Sequence, residues 1–115
     1  MAYDEDLANR IRGLLGARDG VVEKRMFGGL AFLVGGHMSV SASGQGGLLV
    51  RCDPAETDAL LKEPHASPFE MRGRVMDGWL RVDTDGVRTE RQLRRWVTIG
   101  VDYAGSLPAK SKKAR

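Results

Sequence analysis

The stretch Glu23-Lys24-Arg25-Met26-Phe27-Gly28-Gly29-Leu30-Ala31-Phe32-Leu33-Val34-Gly35-Gly36-His37 decides the fold. Two glycine pairs bracket the apolar run Leu30 to Val34. Glycine enters positive-φ conformations without steric cost, so each pair predicts a tight reversal of the chain. The run between them is too short for a stable helix and has the length of a strand. A small sheet therefore begins here, and its first hairpin turns at Gly35-Gly36.

Beyond that turn, Met38, Val40 and Ala42 alternate with His37, Ser39 and Ser41. This is the period of a half-buried strand. Ser43 to Gly47 is a glycine-rich loop, and Leu48 to Cys52 is the next strand. The loop is no phosphate cradle, because a strand follows it where a helix would be needed, and no lysine is near. Matching apolar faces sets Met38, Val40 and Ala42 against Cys52, Val50 and Leu48. In that register Cys52 faces the core and His37 faces away, which argues against a nucleophile–base or metal pair, whereas a slip of one residue would reverse this. Buried cysteine is a common structural residue.

Upstream, Leu7, Ile11, Leu14 and Leu15 form one helical stripe, and the helix spans Asp4 to Gly16. Asp4, Glu5 and Asp6 sit where the helix dipole favours anions, which accounts for this acidic cluster without a metal. Val21 to Phe27 is extended, a short edge strand at most. Downstream, Asp53-Pro54-Ala55-Glu56 combines an N-cap, a proline at the first helical position and a glutamate three residues after the cap. That helix runs to about Lys62. Glu63 to Pro68 is a loop, and its His65 has no partner at ligand spacing.

Asp77-Gly78 predicts a type I′ hairpin between Phe69–Met76 and Trp79–Asp83. Pairing across it sets Val75 opposite Leu80 and Gly73 opposite Val82, an apolar face. The other face would carry Met76 opposite Trp79, Arg74 opposite Arg81 and Arg72 opposite Asp83. These five residues, Trp79, Met76, Arg72, Arg74 and Arg81, form the expected interaction surface, since tryptophan and arginine are enriched at protein contacts. Thr89-Glu90-Arg91-Gln92 has capping-box spacing and opens the last helix, whose buried stripe is Leu93, Trp96, Val97, Gly100, Ala104 and Leu107. Arg88, Arg91, Arg94 and Arg95 crowd its first turns and read as a solvated face.

A chain of 115 residues with 42% hydrophobic and 29% charged residues suits a single globular domain, placed at residues 1–108. No apolar run approaches the roughly 20 residues that span a bilayer. The acidic N-terminus lacks the pattern of a secretory signal, so a cytoplasmic location is expected. Cys52 is the only cysteine, which excludes an intrachain disulfide. The pI is near 9.4. That basicity is local: Lys110, Lys112, Lys113 and Arg115 sit in a tail at 109–115, expected to be disordered. Without them 14 basic residues face 15 acidic ones, a net charge of −1.

The element order is α-β-β-β-α-β-β-α. Helices with one apolar stripe and strands with one apolar face predict an α+β fold of two layers, helices on one face of an antiparallel sheet. The other face must then be solvated or covered by a partner.

Lys24-Arg25-Met26-Phe27-Gly28-Gly29, the Gly36-His37-Met38 hairpin, Pro68-Phe69 and the Trp96 helix resemble the N-terminal domain of TfoX/Sxy proteins. The resemblance covers roughly residues 4 to 107, and Met26, Phe27, Gly28 and Gly29 are its most specific, structural piece. It implies a two-layer domain similar to secretion chaperones. Longer members regulate natural competence and act as co-activators with a cyclic-AMP receptor-type transcription factor. They carry a second, C-terminal domain that this sequence lacks, so the likeness is to a stand-alone N-terminal domain.

The family brings no catalytic residues and no cofactor. The resemblance thus implies a non-catalytic regulatory module that contacts a protein, a transcription factor or a second copy in a homodimer. The alternative is direct nucleic-acid binding through the arginine face and the tail, although a single-strand binder usually offers more aromatics than that face does. An enzyme ranks last, since no acid–base pair, metal cluster or activated nucleophile is legible.

Overall fold

The computed structural model describes residues 4–16, 20–26, 29–44, 46–71 and 73–107. Three helices and six strands follow in the order α1 (Glu5–Leu15), β1 (Val21–Met26), β2 (Gly29–Val34), β3 (His37–Ala42), β4 (Leu48–Arg51), α2 (Thr57–Leu61), β5 (Ala66–Met71), β6 (Arg74–Val82) and α3 (Glu90–Ser106). Short 3-10 turns at Pro54–Glu56 and Thr84–Val87 precede α2 and α3. The sheet order is β1-β2-β3-β4-β6-β5, with every neighbouring pair antiparallel. The α+β reading holds. The extended segment after α1 is a full edge strand, so four strands precede α2.

The helix ends form as their sequences dictate. Asp4 accepts a hydrogen bond from the Leu7 amide at 3.1 Å, and Thr89 and Gln92 complete both halves of a capping box. Asp53 accepts from the Ala55 amide at 2.9 Å, but it caps the 3-10 turn, and α2 proper starts at Thr57. Leu7, Ile11 and Leu15 of α1 and Leu93, Trp96, Val97 and Val101 of α3 pack on Phe32, Val40, Val50, Leu80 and Val82. Arg12 of α1 forks onto both carboxylate oxygens of Glu23 in β1, at 2.7 and 2.8 Å, and holds that carboxyl below its usual range.

The Gly35-Gly36 hairpin forms as expected, with φ of 61° and 85° and Val34 paired with His37. Two positive φ values in a row are the mark of a type I′ turn. Met26 likewise pairs with Gly29. Phe27 and Gly28 of the Met26-Phe27-Gly28-Gly29 motif lie outside the described residues, as do Pro108 and the tail at 109–115.

Two irregularities change the expected registers. Phe32 pairs with Val40 but Leu33 pairs with Met38, so Ser39 is an extra residue in β3. Its hydroxyl donates to the Phe32 carbonyl at 2.7 Å and closes the bulge. Val40 and Ala42 do face Val50 and Leu48 as expected, but the bulge turns Met38 to the opposite face of the sheet, away from Cys52. His37 therefore pairs with Val34, on the side of the sheet that carries the core.

The second irregularity overturns the expected Asp77-Gly78 hairpin. β5 and β6 are joined across residues 72 and 73, and β6 runs through Asp77-Gly78 as one strand. Pro68 pairs with Leu80 and Glu70 with Val75, so Phe69 alone stands opposite the four residues 76 to 79. Gly78 takes up the excess with φ +84°. Its amide donates to the Thr57 hydroxyl at 2.9 Å, and its carbonyl accepts from the Cys52 amide at 2.8 Å. The positive-φ glycine of this dipeptide thus serves a bulge pinned by a buried threonine, where a two-residue turn would also have used it.

Thr57→Val keeps the shape but leaves the Gly78 amide buried without an acceptor. The expected loss is about 1–3 kcal/mol in urea unfolding, with Thr57→Ser retaining most of the stability. A neutral Thr57→Val would remove the threonine from its role in holding the bulge.

Candidate interaction surface

Directly opposed residues on neighbouring strands share a face, so the registers define the side of the sheet that the helices leave open. One ladder crosses all six strands: Lys24, Ala31, Ser41, Leu49, Arg81 and Ser67. Beside it run Val22, Leu33 and Met38, and further along Arg51 opposite Trp79. Ala31, Met38 and Leu49 form a second, smaller apolar cluster there, with Leu33, Phe69 and Trp79 half-buried over it. Its rim is open: Val22 is 60% exposed.

The aromatic end of this face is tightly arranged. The Phe69 and Trp79 ring centres lie 6.3 Å apart, tilted at 49°. The Arg51 guanidinium carbon stands 5.2 Å from the Trp79 ring centre and 5.5 Å from that of Tyr103 in α3. Both distances are within cation–π reach.

The expected surface residues are only partly brought together. Trp79 does point away from the helices, but its neighbours are Arg51 and Phe69. Met76 is half-buried on the far side of the Gly78 bulge. Arg74 is exposed and pairs with Met71, not with Arg81. Arg81 stands opposite Leu49 and Ser67 and reaches back to the β3–β4 loop, donating to the Ser43 hydroxyl at 3.4 Å and the Gly46 carbonyl at 3.2 Å. Arg72 lies outside the described residues. Val22, Lys24, Leu33, Arg51 and Phe69 were not expected on this face. The unbroken apolar run Leu30 to Val34 carried the signal, because a strand without polar alternation is buried on both sides.

The other chemistry-bearing groups have structural partners. Cys52 is fully buried, 3.7 Å from the Thr57 hydroxyl, and burial pushes its thiol pKa up. His65 stands 3.0 Å from the Asp83 carboxylate, and its carbonyl accepts from the Asp83 amide. On the helix side, Arg88 pairs with Asp85, Arg94 with Glu90 and Arg95 with Glu63. A cleft of about 480 Å³ between α1 and α3 is lined by Arg10, Gly13, Leu14, Glu90, Leu93 and Arg94. Among the described residues no three His, Cys, Asp or Glu side chains gather as metal ligands, and no helix is long and apolar enough to cross a membrane.

No curated protein and no solved structure matches the chain. The family model of the TfoX N-terminal domain does match it, over residues 13–104. That span runs from within α1 to the last turn of α3 and takes in every strand, so the whole sheet and the face described above lie inside it, and the chain belongs to the TfoX N-terminal domain family.

Proposed function

We propose that this chain is a non-catalytic interaction module that acts by contacting another protein, in the transcriptional regulation with which the TfoX/Sxy resemblance connects it. The observation that supports this reading is the half-exposed apolar row on the helix-free face: Val22, Leu33, Trp79 and Phe69 over Ala31, Met38 and Leu49. Aromatic and aliphatic side chains in a row across a face, with cations beside them, have the composition of a protein contact. The groups with chemical potential fit a non-catalytic role, since the Cys52 thiol is buried and His65 is held against Asp83.

Direct nucleic-acid binding is supported less well. Of the four arginines at the start of α3, Arg88, Arg94 and Arg95 are spent on intrachain carboxylates.

The reading is tested with a photoreactive phenylalanine analogue in place of Val22 or of Val75. Both valines are exposed, at 60% and 55%, but only Val22 belongs to the open face. A discrete protein adduct in cells is expected from position 22 and none from position 75. Adducts to nucleic acid, or none from position 22, would overturn it.

A further inference from the structure

Among the described residues the helix side of the sheet carries several ion pairs and the open face carries none. On the helix side Arg12, Arg88, Arg94 and Arg95 each have a carboxylate partner. Among the described residues, the ladders that cross Ala31, Met38 and Leu49 place Lys24, Arg51 and Arg81 on the open face and no Asp or Glu. None of the three has a carboxylate within ion-pair distance among the described residues. Arg51 lies against two rings and Arg81 bonds to neutral loop oxygens. The face therefore offers uncompensated positive charge interleaved with apolar side chains.

We infer that this face binds an acidic, amphipathic segment of a partner protein, its apolar side chains seated along Val22, Leu33 and Trp79 and its carboxylates meeting Lys24, Arg51 and Arg81. The inference rests on the interaction-module reading and adds the chemistry of the partner. Charge complementarity selects the occupant. A second copy docking face to face would use the same patch on both chains and set these cations against their own images. A nucleic acid would bring the right charge. However, stacking bases need free ring faces, and here Arg51 covers Trp79 while Phe69 and Trp79 lean on each other. The rest of the row, Val22, Leu33 and Met38, is aliphatic and suits leucine- or isoleucine-type side chains.

The test is a selection of random 12-residue peptides against the full chain. Synthetic copies of the enriched peptides and a single-stranded dT20 are then titrated while protein fluorescence is followed. Two exposed charge reversals serve as probes, Lys24→Glu on the open face and Lys62→Glu after α2. Enriched peptides are expected to alternate Asp or Glu with large apolar residues. Their binding should weaken about fivefold in Lys24→Glu, the scale of reversing one partly screened charge, and stay unchanged in Lys62→Glu.

Enriched peptides without acidic residues, or binding indifferent to Lys24→Glu, would overturn the acidic partner and leave the module reading standing. Binding of dT20 that is lost in Lys24→Glu, with no peptide enriched, would overturn both.

Discussion

Gly29→Ala is expected to lower stability by about 3 kcal/mol, the upper end of overpacking penalties. A Cβ on Gly29 would stand 2.2 Å from the Ala42 carbonyl oxygen and 3.1 Å from the Gly44 amide nitrogen, both backbone atoms. A flexible side chain could swing aside, but a strand backbone cannot do so without parting β2 from β3. That parting would open the Leu30–Ala42 pair, and both residues belong to the main core. Gly13→Ala provides the contrast. Gly13 lies inside α1 with nothing within 4 Å of its would-be Cβ, so alanine there should add about 0.5–1 kcal/mol through helix propensity. Urea unfolding of the two variants should move the midpoint in opposite directions. A neutral Gly29→Ala would mean that the last glycine of the family motif is kept for something other than strand contact.

The same glycine shows how far the sequence could be read. Its place beside a reversal and an apolar run located the start of β2, because turn chemistry is local, although the sheet itself begins one strand earlier at β1. What it cannot state is how near another strand will come. Local signals also gave the caps at Asp4 and Thr89 and the Gly35-Gly36 turn, each of which depends on residues a few positions apart. The two bulges were not legible for the opposite reason. Ser39 looks like any polar residue in an alternating strand until its hydroxyl finds the Phe32 carbonyl. Asp77-Gly78 has the composition of a hairpin turn, and a distant threonine decided between turn and bulge by accepting the Gly78 amide. Each bulge reset the faces of the residues near it. The registers keep Trp79 and Arg81 on one face, as expected from the sequence, but Met76 and Arg74 do not stand opposite them, and Lys24 and Arg51 became visible there only once the ladders were known.

Trp79→Ala is expected to destabilise the chain by about 2–3 kcal/mol, below the 3–5 kcal/mol of a fully buried aromatic because the ring is half-exposed. The ring covers part of the second cluster, leans on Phe69 and carries the Arg51 guanidinium. Removing it uncovers Met38 and Leu49 to water and takes away one of the two rings against which Arg51 lies. A fall of about 10 °C in Tm follows for a domain of this size, with the sedimenting mass unchanged and the helices intact. Phe69→Ala should cost less, and the double variant should show a coupling of about 0.5–1.5 kcal/mol between the two rings. If Trp79→Ala instead left the Tm where it was and lowered the mass, the ring would be an intersubunit contact and the face would already be filled by a second copy. The uncompensated charge of Lys24, Arg51 and Arg81 weighs against that result. The first outcome gives Trp79 a double role, as the lid of the second cluster and as the floor of the docking face. Contact residues that can be changed without harming the fold are then Val22 and Lys24, at the rim.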